Sequence, residues 1–541
     1  MTGFWKSGDP FVWLTGGALA VSLLMILALI ALILFNGLTQ FWPKSVAELQ
    51  LKEGSAVLGE IWEREAIPDT SAVTGAPVYR VRLKVGNRDL YSLDFKWLDE
   101  GEIESITYSE NAFTVERTEW GHFYGYFRNL KEDGQVVTSD LERAMPLLDD
   151  HLDRMARLRE RIDDIERGRI GDINYDFESL RLDRRRIELR GDTTAYADEL
   201  ARIDAKTRQL DETYRRVEVE LRELYYDSRK VVVEMATADG RALDIPVFDV
   251  VRIYRANDLD TFGKSWLYID KFCEFVLGEP RESNTEGGVF PAIFGTVMLV
   301  LMMSVAVVPL GVLAAVYLHE YAKQGFWVRA IRIAVNNLAG VPSIVYGIFG
   351  LGFFIYAIGG TLDHLFFNES LPAPTFGTGG ILWASLTLAL LTVPVVIVAT
   401  EEGLAAVPGD LRAGSLALAA TKFETLWRIV IPSAMPGILT GLILSIARAA
   451  GEVAPLMITG VVKLAPSLPL DSRFPFLHLE RKFMHLGFHI YDVGFQSPNV
   501  EAAIPMVYST TLLLILIVIL LNVVAIYTRN KLRRKLAYSA F

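Results

Sequence analysis

Six apolar runs constrain what this chain can fold into, because an apolar helix of about twenty residues spans the hydrocarbon core of a bilayer. The runs are Trp13–Phe35, Ile293–Tyr317, Ala334–Tyr356, Ile381–Val398, Ile438–Thr459 and Met506–Ile526. The charged residues are concentrated instead between Pro43 and Glu286. We therefore expect an integral membrane protein with one large water-soluble insertion, and this pattern excludes a simple globular enzyme.

Composition excludes further classes of protein. The net charge is −11 over 541 residues, so no broad basic face is available for nucleic acid. The single cysteine, Cys273, excludes an intramolecular disulfide and a cysteine-rich metal site. The first apolar run is too long for a signal peptide, and residues 40–43 do not form a small-residue cleavage site. It is therefore predicted to be an uncleaved anchor.

The distribution of lysine and arginine predicts the orientation, since short cytoplasmic loops carry an excess of both residues. Three segments are basic, namely residues 323–332, residues 412–428 and the tail from residue 529. The link between the third and fourth runs has no lysine or arginine, only Asp363 and Glu369. We predict a multi-pass protein of the bacterial inner membrane, with both termini in the cytoplasm and the large domain in the periplasm.

These boundaries divide the chain into four predicted parts. They are a cytoplasmic tail with the first transmembrane helix (1–42), an extracytoplasmic domain (43–288), a core of five transmembrane helices (289–528) and a basic cytoplasmic tail (529–541). The predicted fold class is an all-α transmembrane bundle of six helices with an inserted α+β domain.

The insertion combines strands with a long helical region. Alternating apolar residues predict strands at Val78–Val85, Ile103–Tyr108 and Phe113–Arg117, and a β-hairpin turning at Asp239–Gly240. From about residue 140 to 228 a heptad seam runs along two arms, with a five-residue step from Ile165 to Ile170 that should change the supercoil locally. We predict an antiparallel coiled-coil hairpin that docks an unknown extracytoplasmic partner. A rigid spacer or a dimer seam explains the pattern equally well.

Two motifs are rejected as sites. Gly263–Lys264–Ser265 resembles the end of a phosphate-binding loop, but Asp258 occupies the position that requires glycine. His485 and His489 could share one helix face near His478, yet no carboxylate or cysteine pattern accompanies them. We interpret these histidines as surface residues and expect neither a metal site nor a cofactor.

The link after the fourth run, within residues 401–436, carries the most informative motif. Helix-forming residues begin after Pro408 and continue to Pro432 and Pro436, which predicts two short cytoplasmic helices. The link resembles the EAA loop of type I ABC importer permeases, which reads E-A-A, three residues, G, nine residues, I-x-L-P. The matching positions are Ala413, Gly414, Ser415, Ala419, Ile429, Ile431 and Pro432. The resemblance implies a loop that couples a separate ATPase to the membrane, and alanine at position 419 should make the two helices more continuous.

Three further strings narrow this resemblance. VVPLGVLAAVYLHEYA, NNLAGVPSIVYGIFGLGFF and ARAAGEVAPLMITG are similar to the PstA family, the permease subunits of the bacterial phosphate-specific transporter. The resemblance covers roughly residues 289–535 and the anchor helix, and it does not cover the insertion. It implies a transport subunit that is not itself an enzyme. The implied partners are a PstC-like permease, a PstB-like ATPase dimer and a PstS-like phosphate-binding protein.

One intramembrane charge favours an anion pathway independently of that resemblance. Arg448 lies near the middle of the fifth run, where a charged side chain costs about 3 kcal/mol unless it faces protein or water. Its planar guanidinium suits phosphate, and Glu452, one helical turn away, can pair with it or accept a hydrogen bond from protonated phosphate. Gly451 would let the substrate approach closely. The alternatives are a structural ion pair and a glycine that serves helix packing.

Two other functions are compatible with the sequence. The chain could be the permease for another oxyanion, such as molybdate, tungstate or sulfate, which competition in a transport assay would reveal. It could instead be a membrane-anchored scaffold or sensor whose active part is the coiled coil, in which case deleting residues 140–228 abolishes function.

Overall fold

The computed structural model describes residues 8–67, 78–191, 195–497 and 499–538. Within these ranges, six helices are long and apolar enough to cross a membrane, and we call them spans one to six. They are Asp9–Thr39, Phe290–Tyr321, Ser343–Phe366, Ile381–Ala405, Lys422–Ala450 and Val500–Lys531. Each predicted run overlaps one span; four runs lie within their spans, and the third and fifth runs are displaced along the chain. Residues 1–7 of the predicted N-terminal tail and residues 539–541 of the predicted C-terminal tail lie outside the described residues.

Span three begins later than the sequence predicts. The predicted run is divided between a separate helix, Phe326–Leu338, and span three itself, which starts at Ser343. Pro342 divides them because proline lacks an N–H and its ring disfavours a helical residue before it. The buried hydroxyl of Tyr346 fixes this junction by donating a hydrogen bond to the carbonyl of Leu338 at 2.7 Å.

Span five ends earlier than predicted. Its helix stops at Ala450, and a separate short helix, Ala454–Thr459, follows it. Pro455 explains the break, because its ring clashes with the carbonyl four residues earlier, that of Gly451, and it has no N–H to donate there. The predicted continuous run to Thr459 is therefore wrong.

The other end of span five also differs from the prediction. Pro432 and Pro436 do not end the helix, which continues through both of them. A wide π turn at Leu426–Val430 precedes Pro432, and this proline then falls in the first turn of the α-helical segment Ile431–Ala450, where a missing N–H is tolerated. The second helix of the link is thus the start of a membrane span.

Span four is the most deeply buried span and packs against spans two and five. Gly437 of span five lies against Gly403 of span four, and a Cβ on Gly437 would come within 2.6 Å of the Gly403 Cα. Small residues allow such backbone approach, which gives van der Waals contact where lipid supplies no hydrophobic drive. Span one contacts span six, where the hydroxyl of Ser509 donates to the Gly37 carbonyl at 2.7 Å.

The described part of the insertion contains two large antiparallel sheets and a two-stranded ribbon of Pro280–Arg281 and Glu286–Gly287. Strands β1 to β5 are Val46–Leu51, Ala56–Ala66, Tyr79–Lys84, Phe95–Asp99 and Ile103–Thr107, and they form a sheet in the order β4-β3-β2-β1-β5. Strands β6 to β11 are Ala112–Arg117, Phe123–Glu132, Gln135–Thr138, Val231–Ala236, Ala242–Pro246 and Val250–Tyr254. Their order is β10-β9-β7-β6-β11, with β8 paired to β7. The predicted strands and the predicted hairpin, β9 with β10, are confirmed.

Residues 141–189 and 197–228 form the two arms of a helical hairpin. The first arm consists of Leu141–Asp163 and Gly171–Leu189, and the second arm is Ala197–Ser228. Ion pairs join Arg161 to Glu220 at 3.1 Å and Arg184 to Asp204 at 2.9 Å, so the arms are antiparallel. The apolar seam is filled within one chain. Supercoiling of the two arms stays a prediction.

A π segment, Asp164–Ile170, joins the two helices of the first arm. It coincides with the five-residue step in the heptad pattern. The wider turn absorbs the extra residue, so that Ile165 before the step and Ile173 after it both stay buried on the seam, at 2% and 7% exposure.

The hairpin lies against the membrane core. Arg186 on the first arm pairs with Glu369, between spans three and four, at 2.6 Å, and Asp172 pairs with Arg473, between spans five and six. Both links are therefore at the same end of the bundle as the insertion. We call this the domain end, and the end that carries residues 406–421 the loop end.

At the loop end a short helix, Gly409–Ala417, ends in a turn at Ala419. Ala419 has a φ of 62°, in the left-handed region that residues other than glycine avoid. The N–H groups of Ala419 and Ala420 donate to the carbonyls of Leu416 and Ser415, the pattern of a Schellman motif. The expectation of a more continuous pair of helices is wrong, because the hydrogen bonds hold the turn despite the alanine.

Replacing Ala419 with glycine should stabilise this turn by about 1 kcal/mol, because glycine enters the left-handed region without a steric penalty. Hydrogen–deuterium exchange of peptides covering residues 413–421, in the full-length protein, measures the change. A stabilisation of that size slows exchange from the open state about five-fold.

Ala417→Gly is the matched control for this substitution. Ala417 is the last residue of the short helix, so glycine there lowers helix propensity and should speed exchange by a similar factor. Unchanged or faster exchange in Ala419→Gly would contradict a strained turn.

Candidate functional site

Arg448 lies in the last turn of span five, two residues before the helix ends. Its position near the middle of a continuous helix, expected from the sequence, is therefore wrong. The Arg448 Nε lies 3.7 Å from Glu452 Oε1, and the two side chains are 30% and 21% exposed in the single chain. An ion pair of this length is looser than a hydrogen bond. The pair is neither sealed in packing nor fully open.

The guanidinium keeps its donors available. Glu452 is its only ion-pair partner among the described residues, and none of them accepts a hydrogen bond from it. A guanidinium has five N–H donors in a planar fork, and the carbonyls at the end of a helix favour a cation. The site can therefore bind an anion with two or more donors without first breaking a strong internal hydrogen bond.

Gly451 adjoins open space. A Cβ built on Gly451 would meet only the carbonyl of Arg448, at 3.8 Å. The close packing that would explain this glycine is therefore not made within the chain. Its role in substrate approach stays a prediction.

Broken helices surround Arg448. The short helix after the break packs on the start of span three, where a Cβ on Gly347 would lie 2.8 Å from the Pro455 Cα. Irregular backbone within a membrane bundle occurs where it is covered by protein or lines water. The break at residues 451–453 therefore places Arg448 at a candidate polar path.

Neither of two cavities in the described chain includes Arg448. One, of about 390 Å³, lies between the insertion and the domain ends of spans one and six. The other, of about 240 Å³, lies at the loop end beside the ion pair of Arg332 and Glu401, whose atoms are 3.1 Å apart. The Arg448 side chain, 30% exposed, therefore lines neither of these cavities.

The loop end is tied to two spans by one arginine. Arg412 donates to the carbonyls of Leu404 and Val407, at the end of span four, at 2.8 and 2.7 Å. It also pairs with Glu320, at the end of span two, at 2.9 Å. Cations stabilise helix C-termini in this way. The short loop helix therefore moves with both spans.

The residues of the EAA-like motif divide into two groups. Ser415 is buried, and its hydroxyl makes a 2.9 Å hydrogen bond with that of Thr425, which joins the two helices of the loop. Exposed positions are Ala413, Gly414 and Ala419, and half-buried positions are Ile429, Ile431 and Pro432. Ser415 thus joins the two helices of the loop, whereas Ala413, Gly414 and Ala419 lie on its outer surface.

The outer surface also carries large apolar residues that the sequence analysis missed. Leu418 is 87% exposed, Phe423 65% and Trp427 64%. The rings of Phe423 and Trp427 stack with their centroids 6.3 Å apart. Exposed aromatic residues that stack on one another mark a candidate interaction surface. The sequence could have indicated this surface, because Phe423 and Trp427 are four residues apart and come directly after a turn.

The histidines are not surface residues, contrary to the sequence analysis. His485 and His489 are 1% and 2% exposed, and burial lowers the pKa of both imidazoles to about 4, so they are neutral at pH 7. His478 is also buried and pairs with Asp471 at 3.0 Å and Glu480 at 3.2 Å. The described residues contain no group of three or more ligating side chains that could hold a metal ion.

Comparison with known proteins assigns the membrane core. Residues 307–538 match the family described as binding-protein-dependent transport system inner membrane component. Over 185 residues the chain is 42% identical to phosphate transport system permease protein PstA 1 of Mycobacterium tuberculosis. These residues make up 34% of this chain and 54% of the relative. Over 255 residues the chain is 33% identical to the phosphate transport system permease protein PstA of Yersinia pestis, which covers 47% of this chain and 76% of the relative.

The chain thus spans about half the length of the Mycobacterium relative and about three quarters of the Yersinia relative. The matched region contains the loop, the helix break and Arg448. With six candidate spans and this match, the chain is a multi-pass membrane protein that belongs to the family of binding-protein-dependent transport system inner membrane components.

Proposed function

We propose that this chain is one permease subunit of an ATP-driven phosphate importer in the bacterial plasma membrane, and that it forms half of the translocation pathway. The observation that carries the proposal is the unbonded guanidinium of Arg448 beside a helix break. The names of the relatives from Mycobacterium tuberculosis and Yersinia pestis, both phosphate transport permeases, support phosphate as the substrate.

The chemistry of the pair of Arg448 and Glu452 supports a protonatable anion. The guanidinium fork binds two phosphate oxygens and stays charged at any working pH. Glu452 accepts a hydrogen bond from a protonated phosphate oxygen, which fully ionised sulfate cannot offer. Because Glu452 also competes for Arg448, it limits how tightly the anion is held, and passage requires a site that releases its ligand.

Exposed parts of this chain support the proposed subunit composition. Arg448 and Gly451 lie open on one side, so we propose that a PstC-like permease subunit covers them and completes the pathway. Leu418, Phe423 and Trp427 form the surface proposed to dock a PstB-like ATPase dimer at the loop end. A PstS-like binding protein would deliver phosphate at the domain end, and the basic loop end would face the cytoplasm. In this proposal the subunit moves phosphate without changing it covalently.

The coupling path follows from the contacts of Arg412. This side chain holds the loop helix to spans two and four, and the second loop helix is continuous with span five. A displacement of the loop by the ATPase would therefore move three spans together, as a rigid-body change of access requires. Arg448 lies at the far end of span five, on the same continuous helix.

Arg448→Gln should abolish phosphate uptake while the complex still assembles. Removing two charge-assisted hydrogen bonds costs about 3 kcal/mol, so uptake at limiting phosphate should fall about 100-fold. Arg448→Lys should keep part of the activity, because it retains the charge but not the fork. Uptake of labelled phosphate into cells measures the loss, and co-purification of the subunits tests assembly.

Arg329→Gln is the control, since Arg329 is an exposed arginine of the loop end that makes no contact with the site. Normal phosphate uptake by Arg448→Gln would reject the assigned site. Competition by sulfate or molybdate as strong as that by phosphate would favour another oxyanion. Loss of function only on deletion of residues 140–228 would favour a scaffold.

Replacing Phe423 and Trp427 together with serine should release the ATPase from the membrane. Exposed aromatic anchors contribute about 2 kcal/mol or more each to an interface, so co-purification should fall at least about ten-fold. A Gly/Ser linker in place of residues 413–419 should have the same effect, because it disrupts the short helix that carries Ser415. Tyr226→Ser is the control, because Tyr226 is 71% exposed on the hairpin, away from the loop. Retained co-purification would count against this docking surface.

A further inference from the structure

The helix Thr261–Leu277 of the insertion has an exposed apolar face. Phe262 is 78% exposed, Trp266 69%, Ile269 52% and Leu277 70%, and Cys273 is also exposed. These residues follow one another at spacings of four, three, four and four, so they form one stripe along the helix. A water-soluble domain does not normally leave such a stripe uncovered.

The opposite face of this helix is charged and buried. Lys271 pairs with Glu116 of β6 at 2.5 Å, and Arg252 of β11 pairs with Glu116 at 3.0 Å and with Glu274 at 2.5 Å. Burial acts against these charges, but the Glu116 carboxylate outweighs it and raises the pKa of Lys271. The inner face thus carries these ion pairs beside the buried Phe275, whereas the outer face, which is polar in an ordinary surface helix, carries the apolar stripe.

The start of the helix excludes a phosphate loop. Asp260 is its N-cap and accepts a hydrogen bond from the Gly263 N–H at 2.7 Å, so Gly263–Lys264–Ser265 lies in the first turns of a regular helix. The helix has 17 residues and is about 25 Å long at 1.5 Å per residue.

The helix is attached to the domain ends of two spans. Phe41, two residues after span one, packs against Phe272 and Phe275 with ring centroids 5.6 and 5.2 Å apart. The N–H of Val289, directly before span two, donates to the Phe275 carbonyl at 2.8 Å, and that of Phe290 donates to the Gly278 carbonyl. Both spans leave the bundle here, so the helix lies where the bilayer surface meets the insertion.

We infer that the Thr261–Leu277 helix lies in the headgroup region of the phospholipid bilayer, with its apolar stripe inserted among the lipids. Phe41 and Trp42, which follow span one, pack on Phe272 and Tyr268 of this helix, and the most apolar window of span one is entirely exposed within the chain. Trp42 and Trp266 are both exposed, and tryptophan is enriched at membrane interfaces. An amphipathic helix of this kind buries its apolar face about 5–10 Å below the surface.

This placement gives the insertion a fixed position. The ion pairs of Glu116 hold the helix to the second sheet, and the sheet carries the hairpin that rests on the links between spans. The lipid surface is thus a third support for the insertion, beside spans one and two. The inference is independent of the proposed substrate.

Cys273 is the only cysteine of the chain and lies on the stripe, so it reports directly on the surroundings of this face. The full chain is labelled there with a nitroxide and reconstituted in vesicles of phosphatidylethanolamine and phosphatidylglycerol. Power-saturation EPR then compares collisions with oxygen, which partitions into lipid, and with Ni(II)EDDA, which stays in water. The label should be more accessible to oxygen and lie about 5–10 Å below the phosphates.

Two variants in a Cys273→Ser background complete the experiment. Ile269→Cys, one turn earlier on the stripe, should give the same depth if the helix lies along the surface. Val219→Cys, 55% exposed on the hairpin, should be accessible to Ni(II)EDDA. If the Cys273 label behaved like the one at position 219, the stripe would face water. If neither reagent reached Cys273, a protein would cover it. Either result would overturn the inference.

Discussion

The need to hydrogen-bond every backbone N–H and C=O inside lipid governs this structure, since it restricts the membrane core to helices and makes each helix break significant. Two breaks matter most, one before span three at Pro342 and one after span five at Gly451. Tyr346 donates a hydrogen bond to the Leu338 carbonyl at the first break, and the short helix that follows the second break packs on Gly347. Arg448 stands beside these breaks, where a charge can meet water or a partner subunit rather than hydrocarbon.

The two ends of the bundle are built for different contacts. At the loop end, Arg412 ties the loop helix to spans two and four, and a strained alanine turn presents Leu418, Phe423 and Trp427 outward. Because the loop is held to spans two and four, a force applied to this surface can be transmitted to both spans. At the domain end, the hairpin forms ion pairs with the links between spans three and four and between spans five and six. The Thr261–Leu277 helix presents its apolar stripe toward the level of the lipid headgroups. This end is suited to keeping the insertion in one place above the core.

Much of the architecture was predictable because it depends on local patterns. The apolar runs marked all six spans, alternation marked the strands, and the five-residue step before Ile170 marked the π segment of the hairpin. The part of the EAA-like residues, including Ser415, in coupling to an ATPase stays a prediction. The residues at which the helices begin and end were less predictable. The effects of Pro432 and Pro455 depend on whether a π turn or a neighbouring helix accommodates them, and hydropathy carries no such information.

The sequence by itself determined that the chain is a multi-span membrane protein with an insertion, and which charge stands among its apolar residues. Whether a segment inserts into a bilayer depends on its length and on the hydrophobicity of each of its residues, and these contributions can be summed along the chain. Tertiary structure decided that His485 and His489 are buried, that Arg448 ends a helix, and that the Thr261–Leu277 stripe faces outward. Each of these depends on what packs against a side chain from elsewhere in the chain. For the stripe, Glu116 and Arg252, which are far apart in sequence, form buried ion pairs beside the inner face of the helix, and the apolar residues of the stripe are on its outer face.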